Sequence, residues 1–324
     1  MSLSNWLTKP LALFVVLVLI AACSPSEDHT DVAADTTMDS LVTAEWLSEH
    51  LNDPDLVVLD CTVLIQPDGK GGFDSVNGRT QYDKGHIWTA GFADLMGELS
   101  DGESPFGFAL LPPEQFAAAM SALGVSDDSR VVLYDASGSV WAARVWWMLR
   151  WIGFDQAALL DGGLAAWTEQ GLPLSTEPVS RSAGTLTVAL RPELIAAKDE
   201  VLTAIGDDSV SIIDALPEAQ YRGAMSMYAR PGHITSATNV PVMSLINETG
   251  RYRPAEELEK LFTGDRDSRT ITYCGGGIAA SANAFVMTRL GYKDVAVYTA
   301  SLQEWSADES LPMEVAAAPE VINE

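Results

Sequence analysis

Of the three cysteines in this chain of 324 residues, one stands in a setting that makes a nucleophile. Cys274 ends the β-prone run Arg269-Thr270-Ile271-Thr272-Tyr273 and is followed by Gly275, Gly276, Gly277, Ile278 and Ala279. Three successive glycines let the backbone curl until several N–H groups face one concavity, an anion nest. A helix starting near Ile278 adds the positive end of its dipole. Both features favour a thiolate over a thiol, and both would hold the anion of a persulfide. Cys61, after Asp60, has no glycine cradle and no helix starting at it, so it reads as a core thiol. The four histidines and the thiols of the mature chain show no metal-ligand spacing.

The elements that must position Cys274 are written twice. The first half carries Val57-Val58-Leu59-Asp60, then Gly85-His86-Ile87, then Arg130-Val131-Val132-Leu133-Tyr134-Asp135. The second carries Ser211-Ile212-Ile213-Asp214, then Gly232-His233-Ile234, then Arg269 to Cys274. An apolar helix, a Gly, a short strand and a Trp-containing helix follow each set, which marks an internal repeat. Short β-rich runs alternating with helical stretches predict α/β units with a mostly parallel sheet. The expected central strands are Leu56–Asp60, Val131–Asp135 and Ala157–Leu160, matched by Ser211–Asp214, Thr270–Cys274 and Val295–Tyr298. Trp141, Trp146, Trp147 and Trp151 on the helix from about Val140 to Trp151 read as core, not as a cofactor-stacking box. The two loops at the strand ends then diverge: Asp135-Ala136-Ser137-Gly138 cannot carry sulfur, whereas Cys274-Gly275-Gly276-Gly277 can.

The order strand-Asp, Gly-His-Ile, strand-then-turn, together with Leu160-Asp161-Gly162-Gly163-Leu164-Ala165-Ala166-Trp167 and Arg144-Val145-Trp146-Trp147-Met148-Leu149-Arg150, resembles the rhodanese family. The chain looks like its two-domain thiosulfate and 3-mercaptopyruvate sulfurtransferases. The resemblance implies two tandem rhodanese-like domains, each a mostly parallel sheet flanked by helices. These are a non-catalytic domain over 41–176, a linker over 177–187, a catalytic domain over 188–315 and a tail over 316–324. It also implies a sulfurtransferase that moves a sulfane sulfur from a small anionic donor to a thiol or cyanide through a Cys274 persulfide, with no metal and no cofactor. The alternative is a non-enzymatic rhodanese module that binds a partner or carries sulfur to it. Rhodanese-like phosphatases need an Arg six residues after the cysteine; here that position is Ala280, which argues against phosphoryl chemistry.

The pattern breaks at the donor site. Thiosulfate-selective members resemble Cys-Arg-Lys-Gly-Val-Thr in this loop and mercaptopyruvate-selective members Cys-Gly-Ser-Gly-Val-Thr. This loop lacks the cations of the first and the hydroxyls of the second. The positions where the family carries two anion-binding arginines are Leu216 and Gln220. Arg222, Arg230 and Arg79 are the expected replacements, because a guanidinium suits a planar anion. His86 joins them, since the family places its active site in the crevice between domains.

The amino-terminal residues read as an address. Lys9 precedes an apolar run from Leu11 to Ala22, 12 residues where a membrane-crossing helix needs about 20. Ile20-Ala21-Ala22-Cys23 resembles a lipobox, so residues 1–22 are expected to be a lipoprotein signal peptide and Cys23 the lipidated residue. Residues 23–40 then read as a flexible, acidic tether. Ser24 resembles an outer-membrane sorting pattern, and the expected location is lipid-anchored in the envelope, facing the periplasm. The formal charge of −26, from 19 Lys and Arg against 45 Asp and Glu, disfavours nucleic acid and anionic membrane surfaces as partners. Any anion site must therefore be built locally.

Overall fold

The computed structural model describes residues 38–69 and 72–315. The signal segment 1–22, Cys23, the tether up to residue 37 and the tail 316–324 lie outside the described residues. Runs rich in Val, Ile and Leu build two parallel sheets, as buried strands require. β1 (Leu41–Val42), β2 (Leu56–Asp60), β3 (Gly91–Phe92), β4 (Arg130–Tyr134) and β5 (Ala157–Leu160) form the first, in the order β1-β5-β4-β2-β3. β6 (Val210–Asp214), β7 (Thr238–Asn239), β8 (Arg269–Tyr273) and β9 (Asp294–Val297) form the second, in the order β7-β6-β8-β9. The second order is the first without its edge strand, and a parallel bridge from Ile195 to Val297 stands at that edge.

The repeat extends to single hydrogen bonds. Asp60 pairs with Tyr134 across β2 and β4 as Asp214 pairs with Tyr273 across β6 and β8. The Tyr134 hydroxyl accepts from Ile87 N, and the Tyr273 hydroxyl accepts from Ile234 N. Trp167 and Trp305 each donate their indole N–H to a carbonyl, that of Pro173 and of Pro312, at 3.0 Å. One side-chain scaffold has thus been kept in both halves while the loops at the sheet ends changed.

Two helices connect the sheets to the site. α1 (Val140–Trp151) follows β4, and α2 (Ile278–Arg289) follows β8. Both are apolar on nearly every face, which fits burial on every side, and they pack against each other with Trp146 edge-on to Phe285 at 4.9 Å between ring centres. Burying side chains of this size contributes roughly 1.5–3 kcal/mol each. All four tryptophans of α1 are buried, as the core reading expects. Two further helices, Gly163–Glu169 and Ser301–Trp305, close the turn of each half.

β2 and β5 have the expected bounds and β6 begins one residue early, while β4, β8 and β9 begin and end one residue earlier than expected. Asp135 and Cys274 fall outside β4 and β8 because their side chains turn back onto the loop that follows. The segment expected as a linker, 177–187, is strapped onto the first half. Gly184 N donates to Ser121 O, Asp127 N to Thr185 O, and Arg181 reaches the carbonyls of Leu56 and Thr89.

Candidate active site

The site is best understood from the half that lacks the cysteine. Asp135 follows β4, and its carboxylate accepts four backbone N–H groups, from Ser137 (2.7 Å), Ser139, Trp141 and Ala142 (2.9 Å each). The last two belong to the first turn of α1, so the carboxylate sits on the positive end of that helix. Burial pushes the Asp135 carboxyl up while these four donors pull it down. The loop is an anion nest filled by its own side chain.

Cys274 occupies the same place after β8. Gly277 N lies 3.1 Å from its Sγ and donates to it, at the start of α2. Gly277 has φ +82°, the left-handed region that glycine enters without penalty. A Cβ there would lie 2.9 Å from both Thr299 O and an Nη1 of Arg144. The backbone of Cys274 is fixed by Ser301, whose Oγ accepts from Cys274 N at 3.0 Å and donates to Tyr298 O. Ser301 has φ +53°, matching Gly163 at +54° in the first half. A serine held in the left-handed region marks local strain retained beside the cysteine.

Cys274 is 3% exposed, and two side chains cover its loop. The Tyr228 hydroxyl packs onto Gly275, and the Gln303 side chain packs onto Gly276. Gln303 Oε1 in turn accepts from Gly107 N of the first half at 2.7 Å. A recess of about 260 Å³, lined by residues including Leu95, Met96, Phe106 and Phe108, opens on the first-half side of that contact. Burial raises the Tyr228 phenol, with Cys274 the next cause, so it is a neutral hydrogen-bonding group at neutral pH.

Arg144 of α1 reaches the loop from the first half. It is fully buried, and its Nη1 points at Gly277 O (3.4 Å) and Ser281 Oγ (3.5 Å) while Nη2 donates to Phe108 O at 3.1 Å. Its guanidinium lies over the Trp147 ring, and burial pushes its pKa down to about 10, against the pull of Cys274.

The residues expected to replace the family's anion clamp are engaged elsewhere. Arg230 donates to four carbonyls, those of Trp305, Ser306, Asp308 and Leu311, and so ties the loop before His233 to the carboxyl-terminal turn. Arg222 pairs with Glu218 one helical turn away, on the surface. Arg79 stacks on Tyr82 and Phe92 and pairs with Asp83. Arg79 and His86 line a cavity of about 330 Å³ with Tyr82, Phe92 and Arg181, and no residue of the Cys274 loop lines it. His86 stacks on Tyr82 with Nδ1 2.9 Å from Tyr82 O, as His233 does on Tyr221, so the histidines hold their turns in both halves. Leu216 is buried with its N–H on Asp214 Oδ1, and Gln220 is half-buried. Cys61 is fully buried, and burial pushes its thiol well up, as a core thiol requires.

Sequence reasoning missed Arg144, Ser301, Gln303 and Tyr228. Two left a signal. Arg144 is a charge set among the tryptophans of an apolar helical run, and Ser301 replaces the second glycine of the first half's Asp161-Gly162-Gly163 turn.

A model of the rhodanese-like domain matches residues 43–170 and again 197–308. The chain is 35% identical over 279 residues to the 3-mercaptopyruvate sulfurtransferase of Escherichia coli (strain K12), covering 84% of this chain and 97% of that one. It is 29% identical to the thiosulfate sulfurtransferase of Gallus gallus, covering 82% and 93%. It is 32% identical to a sulfur carrier protein of Thermus thermophilus, covering 84% and 95%. Among solved structures, that of SseA, a 3-mercaptopyruvate sulfotransferase from Escherichia coli, superimposes with a TM-score of 0.72 at 34% identity, covering 81% of this chain and 98% of that one.

Proposed function

This chain belongs to the rhodanese family, and from that premise we propose that it is a sulfurtransferase whose sulfur-carrying nucleophile is Cys274. The observation that carries the assignment is the Gly277 N–H directed at Cys274 Sγ, in the nest that Asp135 fills with a carboxylate in the other half.

In the first step the Cys274 thiolate attacks the outer sulfur of a small donor. The bond holding that sulfur breaks, its electron pair leaves with the donor remainder, and a Cys274–S–S⁻ persulfide is formed. From thiosulfate the leaving group is sulfite; from 3-mercaptopyruvate it is pyruvate enolate, which takes up a proton. In the second step a thiol or cyanide attacks the outer sulfur and Cys274 leaves as thiolate. The nest serves both steps because it holds an anionic sulfur one atom further out as readily as the thiolate. Tyr228 or Gln303 swings aside to admit the donor, since both cover the loop in the closed arrangement.

The glycine loop and the names of the relatives favour 3-mercaptopyruvate over thiosulfate as donor. The test is transfer to cyanide by residues 41–324, with each donor, beside Cys274→Ser. Turnover that vanishes in the variant supports the reading. No turnover with either donor would overturn it in favour of a module that carries or binds sulfur for a partner.

The same proposal places the protein on the envelope, lipidated at Cys23 and facing the periplasm. Its support is the sequence Ile20-Ala21-Ala22-Cys23-Ser24. Fatty-acid labelling of the parent chain, lost in Cys23→Ser, is the expected outcome; equal labelling of both would contradict it.

A further inference from the structure

We propose that Arg144, contributed by the first domain, is the positioning cation that holds the anionic sulfur of Cys274. The proposal rests on Cys274 being the nucleophile and adds the source of its electrostatic support.

A guanidinium taken fully out of water costs several kcal/mol unless an anion compensates it. Arg144 is 0% exposed, and the groups it meets are the carbonyls of Gly277 and Phe108, the Ser281 hydroxyl and the Trp147 ring. None of these carries a charge. Its Nε has no hydrogen-bond partner at all. Among the described residues no carboxylate pairs with it, and the ionisable group set against it across Gly277 is the Cys274 thiol. The other titratable groups about the loop, Tyr228 and Asp214, supply no positive charge. The buried cation and the cysteine therefore share a loop in which each lacks another counter-ion. Gly277 links them: its carbonyl faces Arg144 while its N–H faces Cys274 Sγ, so the peptide dipoles on either side of Gly277 align the cation with the sulfur.

This arrangement explains what a domain without a nucleophile contributes. Arg144 sits on α1, whose own N-terminus is occupied by Asp135, and crosses to the loop before α2. The second domain by itself has the nest and lacks the charge.

The test separates a charge from a clasp. In the full chain, Arg144→Lys keeps the charge, and Arg144→Gln keeps an amide donor on a shorter side chain without it. Iodoacetamide alkylation of Cys274 is followed from pH 5 to 10 by mass spectrometry, with thermal midpoints recorded alongside. We expect the Lys variant to stay within about threefold of the parent. We expect the Gln variant to lose about tenfold in rate at pH 7 and to recover it as pH rises, the mark of one lost charge interaction. Its thermal midpoint should stay within a few degrees of the parent's, since a Cys274 left without its cation takes up a proton instead of remaining a buried, unpaired thiolate. A Gln profile that superimposes on the parent's overturns the proposal. So does an equal loss in both variants with lowered midpoints, or failure of both to fold, each of which assigns Arg144 to the fold. A parent Cys274 that is not alkylated at any pH would instead defeat the nucleophile assignment itself.

Discussion

Asp135 and Cys274 stand at the same point of the repeat, each one residue beyond the central strand, the carboxylate accepting four backbone N–H groups of the segment that follows and the thiol accepting that of Gly277. Leu164 N donates to Asp135 O as Leu302 N donates to Cys274 O, so the surrounding main chain matches as well. One loop is locked by a carboxylate it cannot release. The other holds a thiol that can take up and hand on an atom.

Asp135→Ala tests the lock. Four N–H donors buried at the head of α1 lose their acceptor, which should cost about 2–4 kcal/mol of stability. Urea unfolding measures the loss, and sulfur transfer per folded molecule should stay within about threefold of the parent. A stability equal to the parent's would contradict the nest.

Gly277→Ala tests the cradle of the nucleophile. Alanine at φ +82° costs about 1–2 kcal/mol, and its Cβ would press on Thr299 O and Arg144. The N–H aimed at Cys274 then moves, and kcat should fall at least tenfold by steady-state kinetics. An Ala variant with full kcat would show that this N–H is not part of the machinery.

Arg230→Met addresses the donor site. With four backbone carbonyls on its guanidinium, Arg230 should cost about 2–4 kcal/mol when removed, seen in urea unfolding, while KM for 3-mercaptopyruvate stays within about twofold. A KM raised tenfold in a stable variant would return Arg230 to the donor clamp.

Asp214 gives a dependence on pH. Burial pushes its carboxyl up to about 6 from 3.8, against the Leu216 N–H and the Tyr273 hydroxyl, and its Oδ2 has no partner. The folded state therefore favours the protonated form. Its contribution is fully present below pH 3.8 and is lost as pH rises through about 6. Asp214→Asn removes this titration, so the variant should gain on the parent by about 3 kcal/mol between pH 4 and 7. Denaturation at the two pH values measures it, and an unchanged difference would contradict the assignment.

The sequence made the duplication, the parallel sheets, the tryptophan core and the Cys274 loop legible because each rests on residues near one another in the chain. A glycine run before a helix announces a nest without any knowledge of its neighbours. The cation beside that nest was not legible in the same way. Arg144 lies 133 positions from Gly277, and only the packing of α1 on α2 brings them together. What holds the clamp candidate Arg230 was hidden for a related reason: it is near the site in sequence, but four carbonyls of the carboxyl-terminal turn, more than 70 positions away, accept from its guanidinium. Gln303 and Gly107, 196 positions apart, show the same limit.

The central claim is that sulfur rests on Cys274 between donor and acceptor. Residues 41–324 treated with 3-mercaptopyruvate, without acceptor, should gain one sulfur atom on the peptide containing Cys274 and none on the peptide containing Cys61, and cyanide should remove it. Turnover with no added mass on Cys274, or added sulfur on Cys61 instead, would contradict the account.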